Sequence, residues 1–467
     1  MRLLLPASVL LFIIALPALA ADELTPFQKL GREVYQELIE TDTTHSTGDT
    51  TKAAENLAKR FQAAGIPAAD IHIVGPTNRN KNLIVRYRGT GARKPVLLLS
   101  HLDVVEAKRE DWSLEPFKLT EKDGYFYGRG TEDDKGGVAT LSTALLRLRQ
   151  EGFQPDRDII LACTAGEEAA ADYNGVDWLV ENHKELVDCV LCFNADAGGP
   201  SKRGGKMLIY GVQAAEKVYL SFLLETKGPG GHSSRPVKDT PINRIAEAMV
   251  RIENFDFPVQ FNSVTRGYLE QMSGVEGGQI GADMKAVLKN PPDAEAVKRL
   301  AAVSTYYNAV LRTTAVTTMM EGGHAENALP QTARATVNTR IMPGESTEEV
   351  EKTLRKVIAN DQITVSIIEA AKPSPPSELT GEPLEAIRLA KEKLWPGLPI
   401  VPEMETGATD GLRFRQMGIP TFGITGIASD QDDVRIHGKD ERVMVKDFYN
   451  GLEYEYQLIK AISSKTR

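Results

Sequence analysis

Cysteine is scarce in this chain, and its scarcity excludes two kinds of scaffold. Three cysteines in 467 residues are an odd number that cannot make a disulfide framework. Cys189 and Cys192 stand as C-x-x-C, but a zinc knuckle needs a second Cys or His pair at matching spacing, and none exists. Both lie in the mostly apolar run 187–193, so all three cysteines read as structural. Basic clusters are also missing and the formal charge is −9, which argues against nucleic acid or an anionic membrane as a main partner. Beyond the first twenty residues, no apolar run is long enough to span a bilayer.

Those first twenty are different. Arg2, the apolar run 3–16 and the small-residue exit Ala18-Leu19-Ala20 have the three parts of a secretory signal peptide, with cleavage expected after Ala20. An uncleaved anchor is the alternative. The expected mature chain starts near Ala21, periplasmic or secreted, with no stable membrane association after cleavage.

A length of 467 exceeds one ordinary core, and 42% hydrophobic with 25% charged residues is the composition of a soluble globular protein. The expected class is α/β. Short apolar runs at 96–99, 158–163 and 187–193 have the pattern of strands buried on both faces of a mostly parallel sheet. Each is followed by chemistry: His101 and Asp103 after the first, Glu167-Glu168 after the second, Asp196 after the third. A helix expected over 138–150 is preceded by Asp133-Asp134. Ligands in open α/β sheets sit beyond the carboxyl ends of strands, so these residues converge where a site is expected.

Near Glu216 the character changes. A strand at 217–226, a helix at 241–254, strands at 315–321 and 333–341, a helix at 347–360 capped by Ser346 and a strand at 363–368 follow in the split βαβ, ferredoxin-like order. Residues 216–372 therefore read as an inserted α+β domain. It divides a catalytic domain into 21–215 and 373–467.

His101, Asp133, Glu168, Asp196 and His437 make an N/O set suited to a borderline metal such as zinc. Three carboxylates and two imidazoles exceed the needs of one tetrahedral ion. If one carboxylate bridges, each of two ions receives a His, a terminal acid and the shared acid. Attack by water then needs a base that is not a ligand, and Glu167 is the candidate.

At this point the residues resemble the aminoacylase and glutamate carboxypeptidase family of dinuclear zinc hydrolases, peptidase family M20. The motifs are His101-Leu102-Asp103, residues 128–136 (GRGTEDDKG), Glu167-Glu168, Asp196, the loop 228–236 with His232, Asn327-Ala328-Leu329-Pro330, Arg340, and His437 with Glu441-Arg442. The resemblance implies two zinc ions per chain, with His101, Glu168, Asp196 and His437 as terminal ligands and Asp133 as the bridge. It implies that Asp103 orients His101 and that Glu167 passes its proton to the leaving amine. His232 would bond the tetrahedral oxyanion, Arg340 would hold a substrate carboxylate, and Asn327 would join the substrate-binding residues. In dimeric relatives that histidine reaches the partner's site, so a homodimer through the inserted lid domain is the expectation.

Two departures stand out. After Glu167-Glu168 the chain runs Ala169-Ala170-Ala171-Asp172-Tyr173 where glycines are usual, and residues 194–199 (NADAGG) form a looser turn. Asp134 is the rival for the bridge and Asp172 for a ligand. The long insertion between Phe255 and Leu311 resembles the carboxypeptidase S and secreted N-acyl-amino-acid hydrolase branch. The expected activity is cleavage of an amide bond next to a free carboxylate, on a small peptide or an N-acyl amino acid. A zinc aminopeptidase or dipeptidase and a catalytically silent two-domain binding protein are the alternatives.

Overall fold

The computed structural model describes residues 23–168 and 173–464. The expected signal segment 1–20, the run 169–172 and with it Asp172 lie outside the described residues. Ten strands make the central sheet. Arg93–His101 runs parallel to Arg157–Thr164 on one side and to Cys192–Asn194 on the other, and Thr421–Gly423 continues the parallel set. These runs are continuously apolar because both faces are covered. Val96 and Leu98 pack under the helices Pro26–Ile39, Lys135–Gln150 and Val445–Ser463, while Leu97 and Leu99 face Val176, Leu179 and Phe414. Antiparallel strands flank the parallel centre, Asn82–Tyr87 on one side and Lys206–Glu216 on the other. The sheet continues into Gly199–Arg203 through Gly204 and Gly205, whose φ values of +58° and +72° make the tight hairpin turn that side chains resist.

The strand expected over 187–193 is confined to Cys192–Asn194. Asp188 and Val190 are exposed, and a short 3-10 turn at Lys184–Leu186 delivers the chain to the sheet late. The end of the strand, which carries the chemistry, is unaffected.

A second core lies in a four-stranded antiparallel sheet, in the order Thr314–Gly322, Thr332–Ile341, Val218–Lys227, Thr364–Ile367. Helices Pro241–Glu253 and Thr347–Ile358 cover one face, burying Leu220, Phe222, Ile245, Val337 and Leu354 together. Ser346 caps the second helix by accepting the Glu349 N–H.

The expected inserted unit 216–372 divides in the structure. Helices Ser263–Glu276, Gly278–Val287, Ala294–Val303 and Thr305–Leu311 stand apart from the second core and pack on the core of the ten-stranded sheet. Val264, Tyr268, Leu269 and Met272 share one core with Tyr210, Val401 and Met404. The physical reason is that the lid helices already cover their sheet face. These amphipathic helices bury their apolar side against the ten-stranded sheet beside Ile400–Glu405.

Candidate active site

The parallel strands end level with one another, with His101 opposite Thr164 and Leu99 opposite Asn194. His101, the last residue of its strand, is buried. Its Nδ1 lies 3.0 Å from the Asp103 carbonyl, which leaves Nε2 facing Asp133 Oδ1 at 2.9 Å and Asp196 Oδ1 at 3.5 Å. His437 arrives from the far end of the chain on a residue with φ +61°. Its Nε2 lies 3.0 Å from Asp133 Oδ2 and 2.7 Å from Glu168 Oε1. Asp133 thus presents one oxygen to each imidazole, and two half-sites share it: His101 with Asp196, and His437 with Glu168.

Asp134, the rival, stays beside the site, where it groups with His101 and Asp196 within 4.8 Å and keeps a buried Oδ1 without a hydrogen-bond partner, but its other oxygen is engaged. Its Oδ2 accepts from Ser100 Oγ at 2.5 Å and from the His101 N–H at 3.2 Å.

The Asp103 carboxylate differs from expectation. Its carbonyl orients His101, while its carboxylate accepts the N–H groups of Gly166 (2.7 Å), Glu167 (3.3 Å) and Glu168 (3.0 Å). It is a clamp for the turn carrying both glutamates, because three inward-pointing N–H groups need an acceptor once the strand ends.

Two further residues hold the site, and the sequence reading gave neither a role. Glu441 is fully buried, pairs with Arg129 at 2.7 Å, and accepts the N–H groups of Gly130, Glu132 and Asp133. Asp410 accepts from Thr164 Oγ1 and Asn174 Nδ2 at 2.7 and 2.6 Å beneath the glutamate turn. The signal for Glu441 was its place four residues after His437. Asp410 gave none beyond a polar turn.

The donor set fits a pair of divalent cations. Burial and the neighbouring Asp196 push the Glu167 carboxyl well above the usual carboxylate range. Burial carries Asp196 up to about 7, and hydrogen bonds to Asp133 and Glu168 lift His437 to about 10. Two imidazoles cannot balance so many acids in one buried volume, and cations at the two half-sites would.

The remaining sequence candidates lie elsewhere. His232 pairs through its backbone with Ala328 in an exposed two-stranded ribbon, and its Nδ1 accepts the Ser234 N–H at 3.1 Å. The Asn327 carbonyl accepts from Ser233, and the residue is exposed. Neither lines the cavity of about 850 Å³ that opens beside Asp133 and Asp196. Arg340 stacks on Tyr219 with 4.8 Å from guanidinium carbon to ring centre and reaches the Thr406 carbonyl at 3.5 Å, from lid to catalytic domain. Among the described residues it has no carboxylate partner in an ion pair. Cys163, Cys189 and Cys192 are buried and free, in keeping with a structural role.

The profile of peptidase family M20/M25/M40 matches residues 97–461. The chain belongs to that family. This M20 protein is 29% identical over 378 residues to the human N-fatty-acyl-amino acid synthase/hydrolase PM20D1, covering 79% of this chain and 74% of that one. It is 27% identical over 394 residues to a probable carboxypeptidase S-like 2 of Dictyostelium discoideum, covering 82% and 74%. The fold matches the M20 family metallo-carboxypeptidase Sso-CP2 of Sulfolobus solfataricus with a TM-score of 0.68 at 17% identity, covering 93% of this chain and 99% of that one. It is a metal-dependent hydrolase with a largely parallel central sheet.

Proposed function

We propose that this M20 hydrolase cleaves an amide bond adjacent to a free carboxylate, as a carboxypeptidase or N-acyl-amino-acid amidohydrolase, with two zinc ions in the half-sites sharing Asp133. The observation that carries the reading is Asp133 set between two imidazoles, with the Glu167 carboxyl buried near His101 and Asp196. Zinc, when bound, supplies Lewis acidity toward water and the scissile carbonyl. Glu167 is held by its backbone N–H on Asp103 and is not needed as a ligand. Its carboxylate takes the proton of the attacking water. As the C–N bond breaks, it returns that proton to the leaving amine.

Arg340 offers its guanidinium to the substrate carboxylate, a planar fork with no acid of its own to occupy it. His232 is exposed on the lid with Nδ1 engaged, so Nε2 is the donor it can present to the tetrahedral oxyanion of a partner subunit's site. The edge strand Thr314–Gly322, with Val316, Met319 and Met320 exposed, supports a homodimer through the lid. A periplasmic or secreted location belongs to the same reading. The names of the relatives, an N-fatty-acyl-amino acid hydrolase and a carboxypeptidase, support both substrate types. Glu167 in place speaks against a silent binding protein, which has no use for a base.

The test is a hydrolysis screen of dipeptides and N-acyl amino acids, each beside its amidated twin, with zinc, cobalt or manganese. Turnover should favour the free acids strongly, and Arg340→Lys should lose about ten- to a hundredfold of that preference. Equal rates on acid and amide would refute carboxylate recognition.

A further inference from the structure

The cavity beside the metal residues is walled by both strands and helices of the catalytic core. Ile209 and Gln213 of Lys206–Glu216 line it, together with Glu403 and Glu405 of the parallel neighbour Ile400–Glu405. Tyr268 and Tyr306, from the helices that stand apart from the second core, close it.

The acids of this wall differ in what they hold. Glu276 is paired with Arg203 at 2.9 Å and accepts from Tyr307 at 2.7 Å. Arg203 is the one cationic side chain lining the cavity among the described residues, so it is spoken for. Glu405 accepts the N–H groups of Thr406 and Gly407. Glu403, paired through its backbone with the neighbouring strand, is half-buried, and its side chain makes no hydrogen bond and no ion pair with any described residue. Room has nevertheless been made for it, since a Cβ on the facing Gly211 would fall 1.9 Å from Glu403 Oε2. Burial, with Glu405 nearby, pushes its carboxyl up to about 8. A half-buried carboxyl in a cavity wall with no partner from the protein is open to a ligand group that supplies one.

We propose that this cavity is a subsite for a primary ammonium group of the substrate, with Glu403 as its counter-ion and Tyr268 and Tyr306 packing the methylenes that lead to it. The proposal rests on the hydrolase reading above and names part of its substrate class. An anionic group finds no free cation here, since Arg203 is held by Glu276. A plain alkyl chain leaves Glu403 unpaired, and sites built around a polar group discriminate strongly against analogues that lack its partner. The ammonium can sit on either side of the scissile bond.

Two matched series separate those sources: N-acetyl-lysine against N-acetyl-norleucine, and N-(6-aminohexanoyl)-glycine against N-heptanoyl-glycine. The wild-type protein with its metals should prefer the ammonium member of one series by about ten- to a hundredfold in kcat/KM. E403Q should lose that ratio while its metal content holds. No preference in either series, or a preference that survives E403Q, overturns the proposal. E403Q should melt no lower than wild type, because it removes an unpaired acid. Calorimetry with hexylammonium chloride keeps the subsite distinct from the hydrolase reading. If neither series is cleaved, tenfold tighter binding to wild type than to E403Q upholds the subsite and sinks the substrate reading, and equal binding sinks both.

Discussion

Glu441→Gln is the sharpest probe of how the bridging aspartate is held. The carboxylate and its partner Arg129 are almost wholly sequestered, with side-chain exposures of 0% and 3%. Breaking a buried pair by removing one charge costs about 3–5 kcal/mol, because the other charge stays buried without its counter-charge. Here Arg129 keeps the Gly438 carbonyl at 2.9 Å, the more distant His437 carbonyl and the face of Trp112. These place the expected loss at the low end, about 3 kcal/mol, a large part of an ordinary stability of about 5–15 kcal/mol. The second effect is local. The glutamine carbonyl can accept only part of what the carboxylate takes from Gly130, Glu132 and Asp133, so the Asp133 loop loosens. Metal affinity should fall about ten- to a hundredfold, as it does when partners that orient ligands are lost. Denaturant unfolding of the metal-free protein reads the first effect, and metal titration reads the second. A loss under about 1 kcal/mol would place the pair among weak surface bridges and refute the reasoning. Unchanged metal affinity would refute the positioning role alone.

Three other outcomes follow from the same geometry. Elemental analysis should find close to two divalent ions per chain, and Asp133→Ala should lose both; a single ion untouched by that change sinks the shared-carboxylate arrangement. Glu167→Gln should abolish turnover with metal retained, whereas Glu168→Gln should also weaken metal binding; equal metal loss would mean the base is misassigned. Lys217 is buried with Nζ on the Arg312 carbonyl, and burial, helped by Arg340, lowers its amine to about 7. Its folded pKa lies below the unfolded value of about 10.4, so unfolding takes up a proton between those limits and wild-type stability gains from this group as pH rises from about 7 to 10. Lys217→Met should lose that slope in denaturant unfolding at pH 7, 8.5 and 10; an unchanged slope means the amine is charged in the fold.

Much of the site was legible because a sheet turns a linear pattern into a place. His101, Glu168 and Asp196 each follow an apolar run, and such runs end together at one edge. Asp133 and His437 come from a loop and a distant segment, and only chemistry and family resemblance joined them to the set. Other features left no trace of that kind. A helical period shows that Tyr268 and Met272 face a core, not which core, so the migration of helices 263–311 was invisible. Asp103 reads as a partner for its neighbour His101, yet its carboxylate is claimed by N–H groups sixty residues on. Glu441 acts through backbone N–H groups and Asp410 through the Thr164 and Asn174 side chains, partners met only in the folded chain. Glu403 sits in an extended run where nothing marks it as unpartnered.

The helices that stand apart from the second core change what that core can do. The chain passes back and forth between the two cores, before Val218, after Phe257, before Thr314 and beyond Ile367, and Met342, next to Ile341 of the second core, is itself buried in the first. Tyr268 and Tyr306 therefore pack with the core of the sheet that carries His101, while Arg340 stands on the four-stranded sheet. A shift of one core against the other would alter the distance from Arg340 to His101 and Asp133 while Tyr268 and Tyr306 kept their place beside the ten-stranded sheet. Under the proposed reading, the side group of a substrate would then meet a mould that holds its shape, and its carboxylate alone would wait on the approach of the second core.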